Sequence, residues 1–164
     1  WADDAVVVDL PYGGGAFSMT VALPAGDRTV EELAADLDRD TWERWIESLH
    51  LRTGVQLFLP RFELEWEAKL NEALKAVGMT DAFDPVLADL SRLGPGPLVV
   101  SFVKQKAFVQ VDEEGTEAGA VTGMGVELTS GPPTFRADRP FLFVLRERLS
   151  GTILFVGVVN DPTA

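Results

Sequence analysis

Between two apolar, strand-like runs, residues 98–111 and 141–159, lies a stretch of small and acidic residues: Glu113, Glu114, Gly115, Thr116, Glu117, Ala118, Gly119, Ala120, Val121 and Thr122. It lacks the bulk for a core, and its flexibility suits a linker. Yet it carries a period of two. Thr116, Ala118, Ala120, Thr122, Met124 and Val126 fall on one side of a hypothetical strand, and Glu117, Gly119, Val121, Gly123, Gly125 and Glu127 on the other. The first face is small near its start and apolar later. The second keeps both acidic side chains, which can stay in water. Such a segment can exist as a solvated loop and can also be accepted into a sheet. Linker and latent strand are the two readings, and the second decides what the chain does.

A chain of 164 residues is large enough for one core and one domain. Its 46% hydrophobic and 24% charged content is that of a globular protein rather than a disordered one. A net charge of -12, with no run of Lys or Arg, argues against a phosphate-binding surface, so nucleic acid is not an expected partner. The absence of cysteine removes disulfides, thiol chemistry and thiolate metal sites. No apolar run approaches the roughly 18 residues a membrane helix needs. No cofactor or metal is expected. The first residue is Trp1 rather than Met, and the true N-terminus is expected upstream.

Short apolar runs at residues 5–10 and 17–23 flank Pro11, Tyr12 and three glycines, which predicts a β-hairpin closed by Pro24. Three short helices follow, each with apolar residues at helical spacing. The first holds Val30, Leu33, Ala34 and Leu37, with Thr29 and Glu32 spaced as a capping box. The second holds Trp42, Trp45, Ile46 and Leu49, with Asp40 as its expected N-cap. The third holds Leu70, Ala73, Leu74 and Val77 and stops at Gly78. Strands are expected at 55–59 and 62–66. The run 98–111 reads as one strand buried on both faces, and 141–145 with 152–159 as a hairpin turned at Leu149, Ser150 and Gly151. The fold class is α+β, strand-dominated, with small helices.

In their order and spacing, six segments resemble the serpin family of serine protease inhibitors. They are Leu59-Pro60-Arg61-Phe62, Gly78-Met79-Thr80-Asp81-Ala82-Phe83, Lys106-Ala107-Phe108-Val109, the stretch 113–122, Asp138-Arg139-Pro140-Phe141-Leu142-Phe143, and Gly151-Thr152-Ile153-Leu154-Phe155-Val156-Gly157. The likeness covers essentially the whole chain. It implies the C-terminal half of the serpin fold: strands of three sheets plus three short helices, within a single domain whose N-terminal half is absent from residues 1–164.

The resemblance also implies a mechanism. Residues 113–122 would be the hinge, with insertion beginning at Gly115 and Thr116. A target protease cleaves near the loop tip and forms an acyl-enzyme; the hinge then enters the central sheet and distorts the protease before deacylation. The family's count places the reactive bond at Thr129–Ser130, and a loop one residue shorter places it at Leu128–Thr129. Leu128 suits a chymotrypsin-like pocket and Thr129 an elastase-like one, and no nearby Arg or Lys suits a trypsin-like one. The expected partners are thus a serine protease and the missing half of the same fold, with self-association by loop-to-sheet pairing. One departure stands out: Gln105 occupies the place of the family's usual histidine and cannot titrate near neutrality.

Alternatives stay beside this reading. A non-inhibitory serpin typically has bulky or charged hinge residues, which this chain lacks. An isolated half would instead be a β-rich binding or structural module with exposed strand edges. A hydrolase would need His50, the sole histidine, for which the sequence offers neither a partner nor a nucleophile elbow. Trp42 and Trp45 at helical spacing read as packing. Asp112, Glu113 and Glu114 lack metal-ligand spacing. Gly13, Gly14 and Gly15 form a turn, not a phosphate loop, because no helix with a Lys follows.

Overall fold

The computed structural model describes residues 4–51, 53–112 and 133–162. In chain order its elements are β1 (Ala5–Tyr12), β2 (Phe17–Pro24), α1 (Val30–Ala35), α2 (Arg39–Ser48), β3 (Gln56–Phe58), β4 (Phe62–Lys69), α3 (Asn71–Ala76), β5 (Lys104–Val111), β6 (Thr134–Arg136), β7 (Phe141–Glu147) and β8 (Ile153–Val159). Short 3-10 turns occupy Gly13–Gly15 and Asp81–Phe83. The chain divides into two compact units. The first comprises Trp1–Phe62 with Val111–Ala164, and the second Glu63–Gln110.

The first unit is built on a four-stranded antiparallel sheet in the order β1-β2-β7-β8. The β1–β2 hairpin forms where the glycines permit it: Gly14 and Gly15 take φ of 66° and 94°, values costly for any residue with a Cβ. Pro24 ends β2, and Ala5 pairs with it. Alternation then sorts the side chains. Ala5, Ala22, Leu142 and Val144 lie on one face, where they pack with Val30 and Leu33 of α1 and Trp45 of α2. On the other face Phe143 lies beneath Phe62, whose ring is also edge-on to Phe141 at 5.7 Å.

Local signals fix the two covering helices. Thr29 accepts from the Glu32 amide while the Glu32 carboxylate accepts from the Thr29 amide, so the capping box of α1 forms as its spacing predicts. Helix α2 begins two residues before its expectation. Its N-cap is Asp38, which accepts from the Thr41 amide at 2.8 Å, and Asp40 lies in the first turn.

The fold expectation requires correction. It cast the chain as a strand-dominated α+β C-terminal part, strands of three sheets plus three short helices. The structure instead distributes mixed sheets and helices across the whole described chain, with α1 and α2 forming a layer over the largest sheet and two 3-10 turns added. The reason is physical: a sheet face as apolar as Ala5, Ala22, Leu142 and Val144 needs a covering layer, and the 3.6-residue stripes of α1 and α2 supply it. The run 98–111 is corrected as well. Its strand starts only at Lys104, and its exposure alternates instead of being buried on both faces. Helix α3 buries none of its residues.

Tight packing in the large sheet gives a first prediction. A Cβ on Gly157 of β8 would meet Phe143 Cε1 at 2.5 Å, and Phe143 is itself buried. Gly157→Ala is therefore expected to destabilise the protein by about 1–3 kcal/mol through overpacking, measured as a shift in the urea midpoint. An unchanged midpoint would show that the Phe143 ring moves aside freely.

Candidate functional site

The predicted hinge, Glu113 to Thr122, and the predicted reactive bond, Thr129–Ser130 or Leu128–Thr129, lie outside the described residues. The structure does describe the strands on either side. The chain leaves one two-stranded sheet, β4 with β5, at Val111 and enters another, β3 with β6, at Thr134.

On β5 the period of two puts Lys104 and Lys106 on one face, and the Glu67 carboxylate of β4 pairs with both, Lys106 Nζ at 2.9 Å. These contacts, Lys104 first and Lys106 second, hold the Glu67 carboxyl below its usual range. A depressed carboxyl contributes stability above its unfolded value and loses it as pH falls through the lowered one. The pair is exposed, so solvent and salt screen it. Gln105, between the two lysines, is exposed. The opposite face carries half-buried Ala107, Val109 and Val111 on β5 and Leu64 and Ala68 on β4. Trp66 shares that β4 face but is 52% exposed.

After the loop, β6 runs parallel to β3 with Phe135 opposite Leu57. Two backbone bonds fasten its ends: the Gln56 amide donates to Pro133 O at 2.9 Å and the Ala137 amide to Phe58 O at 2.8 Å. Phe135 and Ala137 are buried. The Arg136 guanidinium sits 3.9 Å from the centroid of the Phe58 ring, a cation–π contact of about 0.5–1 kcal/mol at an exposed site. Sequence reading missed this stack. Its only available signal was the equal length of two short strand-like segments 78 residues apart in the register Phe58 to Arg136.

His50, past the end of α2, is exposed. Among the described residues no group of three or more His, Cys, Asp or Glu could hold a metal ion. No described helix is long and apolar enough to cross a membrane.

A family model described as serpin (serine protease inhibitor) matches residues 2–162. Human Serpin B11 is 39% identical over 160 residues, covering 95% of this chain and 41% of that protein. Iripin-5 of Ixodes ricinus is 40% identical over 158 residues, covering 94% and 40%. The crystal structure of a thermophilic serpin, tengpin, in its native state superposes with a TM-score of 0.74 at 34% identity, covering 98% of this chain and 43% of that one. The chain therefore spans about two fifths of the length of the curated relatives it matches. Matched over nearly its whole length by the family model, this chain belongs to the serpin family.

Proposed function

We propose that residues 1–164 form the C-terminal portion of a single inhibitor domain and carry the bait loop of a serine protease inhibitor that acts as a suicide substrate, not as an enzyme. The observation that carries this reading is the order of elements along the chain: β5 ends at Val111 just before the small, period-two stretch, and β6 begins at Thr134 after it. The family match over residues 2–162 supports the same reading. Within the segment the hinge is residues 113–122 and the reactive bond Thr129–Ser130, or Leu128–Thr129 in the shorter register. The protease serine attacks the carbonyl of that bond, the new amino terminus departs, and the small face led by Thr116, Ala118 and Ala120 enters the sheet beside β5. The acyl-enzyme is trapped before water reaches it. The partner is a chymotrypsin-like or elastase-like protease.

Incubation of the full-length protein with chymotrypsin and with elastase is expected to give a covalent complex stable on denaturing gels. Thr116→Arg would place a charged, bulky side chain on the face that enters the sheet, where desolvation opposes it. The variant should be cleaved and released as an ordinary substrate. Cleavage of the wild-type protein with no complex, or an undiminished complex from the variant, would count against the reading.

A further inference from the structure

Helix α3 opens with Asn71, and an asparagine there ordinarily serves its own helix. This one does not: the N-cap is Leu70, with no side-chain capping bond. The Asn71 amide reaches instead to a segment some thirty residues on, immediately before β5. Its Oδ1 accepts from the Val103 amide at 2.9 Å and its Nδ2 donates to Ser101 O at 3.1 Å. One residue earlier, the Leu70 amide donates to Val103 O at 2.8 Å. Both backbone groups of Val103 are thus held by the turn that leads from β4 into α3.

A side-chain amide that accepts from one peptide and donates to another copies the pairing of a neighbouring strand. β4 ends at Lys69, and among the described residues the backbone pairing past that point is the bond from the Leu70 amide to Val103 O. Asn71 extends the pairing by one further rung. Upstream, residues 94–103 form neither helix nor strand, and the Val100 amide donates to Ala82 O of the 3-10 turn at 2.9 Å. Immediately before β5, Ser101 and Val103 are held at the turn into α3, and β5 is the strand whose other end leads into residues 113–122.

We propose that Asn71 is a positioning residue for loop trapping: its side-chain amide pins the root of β5, keeping that strand in register with β4 while the loop at its far end is cleaved and drawn in. This rests on the inhibitor reading above. Trapping is a race between loop entry and deacylation, so a β5 that slips at its root slows the first and leaves the second untouched. The protease contacts the loop and not Asn71, so the rate of the first encounter should be unaffected.

The test uses the full-length protein with chymotrypsin, and compares wild type with Asn71→Ala and Asn71→Asp. Asn71→Asp keeps the acceptor for Val103 but sets a carboxylate oxygen against Ser101 O. In Asn71→Ala the Val103 amide should exchange with solvent about tenfold faster. The ratio of cleaved free inhibitor to covalent complex should rise several-fold at an unchanged association rate, with Asn71→Asp between the two. A purely structural role would lower the unfolding midpoint and leave that ratio alone. If Asn71→Ala does not fold, Asn71→Asp carries the same comparison. A wild-type complex with an unchanged ratio in the folded variants overturns this inference alone. Absence of any wild-type complex overturns the inhibitor reading and this inference with it.

Discussion

Trp45→Ala is expected to destabilise the full-length protein by about 3–5 kcal/mol, a large share of the roughly 5–15 kcal/mol that holds an ordinary domain together. Trp45 is fully buried at the centre of the helix-covered face, in contact with a cluster formed by Ala5, Ala22, Val30, Leu33, Leu142 and Val144. Those neighbours come from helix α1 and three strands, so the cavity left behind has rigid walls and little means of collapse. The indole also spans core and rim, since its Nε1 donates to Asp4 Oδ1 at 3.2 Å just ahead of β1. Trp45→Phe separates the two contributions. It keeps most of the ring and deletes the donor, and Asp4 retains Arg44 at 3.5 Å, so a loss of about 1–2 kcal/mol is expected. Urea unfolding followed by far-UV dichroism measures both. Equal losses for the two variants would mean that the hydrogen bond, not the packing, dominates.

How far the sequence foretold this arrangement depends on the range of each interaction. The capping box of Thr29 and Glu32 was legible because helix geometry alone dictates a spacing of three. The N-cap of α2 was placed two residues late because Asp38 and Asp40 offer the same chemistry. Only the geometry of the Thr41 amide, bonded to Asp38, separates them. The apolar run 98–111 read as a single strand because apolar content shows burial and not pairing. Its first residues have no ladder partner, as β4 has already given way to α3, and the strand starts where Lys104 can meet Glu67. The Asn71 bridge and the Phe58–Arg136 stack join residues far apart in the chain, and no local pattern announces them. The proposed hinge, residues 113–122, has the opposite character. Its period of two is read directly from the residues, while the proposed strand addition would depend on partner strands that those residues do not specify.

The second large effect concerns a pair that composition would not suggest. Asp9 and Arg146 are 137 residues apart, yet their side chains meet at 3.2 Å with only 13% and 10% of each exposed. Thr20 donates to the other carboxylate oxygen at 2.7 Å, and the guanidinium lies 5.9 Å from the Trp42 ring. The register explains the meeting. Asp9 is opposite Thr20 and Ser18 is opposite Arg146, so all four side chains share the helix-covered face at one end of the sheet. Arg146→Met would leave a nearly buried carboxylate with a hydroxyl as its remaining partner, and a loss of about 3–5 kcal/mol is expected. Asp9→Leu strands the guanidinium, whose Nε already lacks a partner among the described atoms, and should cost a similar amount. The double variant should be far less damaged than the sum of the two, and close to wild type, because the desolvation penalty disappears with both charges. It would also lose a marker of register. A one-residue slip of β7 would carry Arg146 to the opposite face, on the side of the buried Met19 and Val21 of β2, which no charge tolerates. The double variant is therefore expected to recover its stability while giving broader amide signals along β2 and β7. Single variants that cost under about 1 kcal/mol each would show the pair to be as screened as a surface salt bridge, and its placement in the sheet to be incidental.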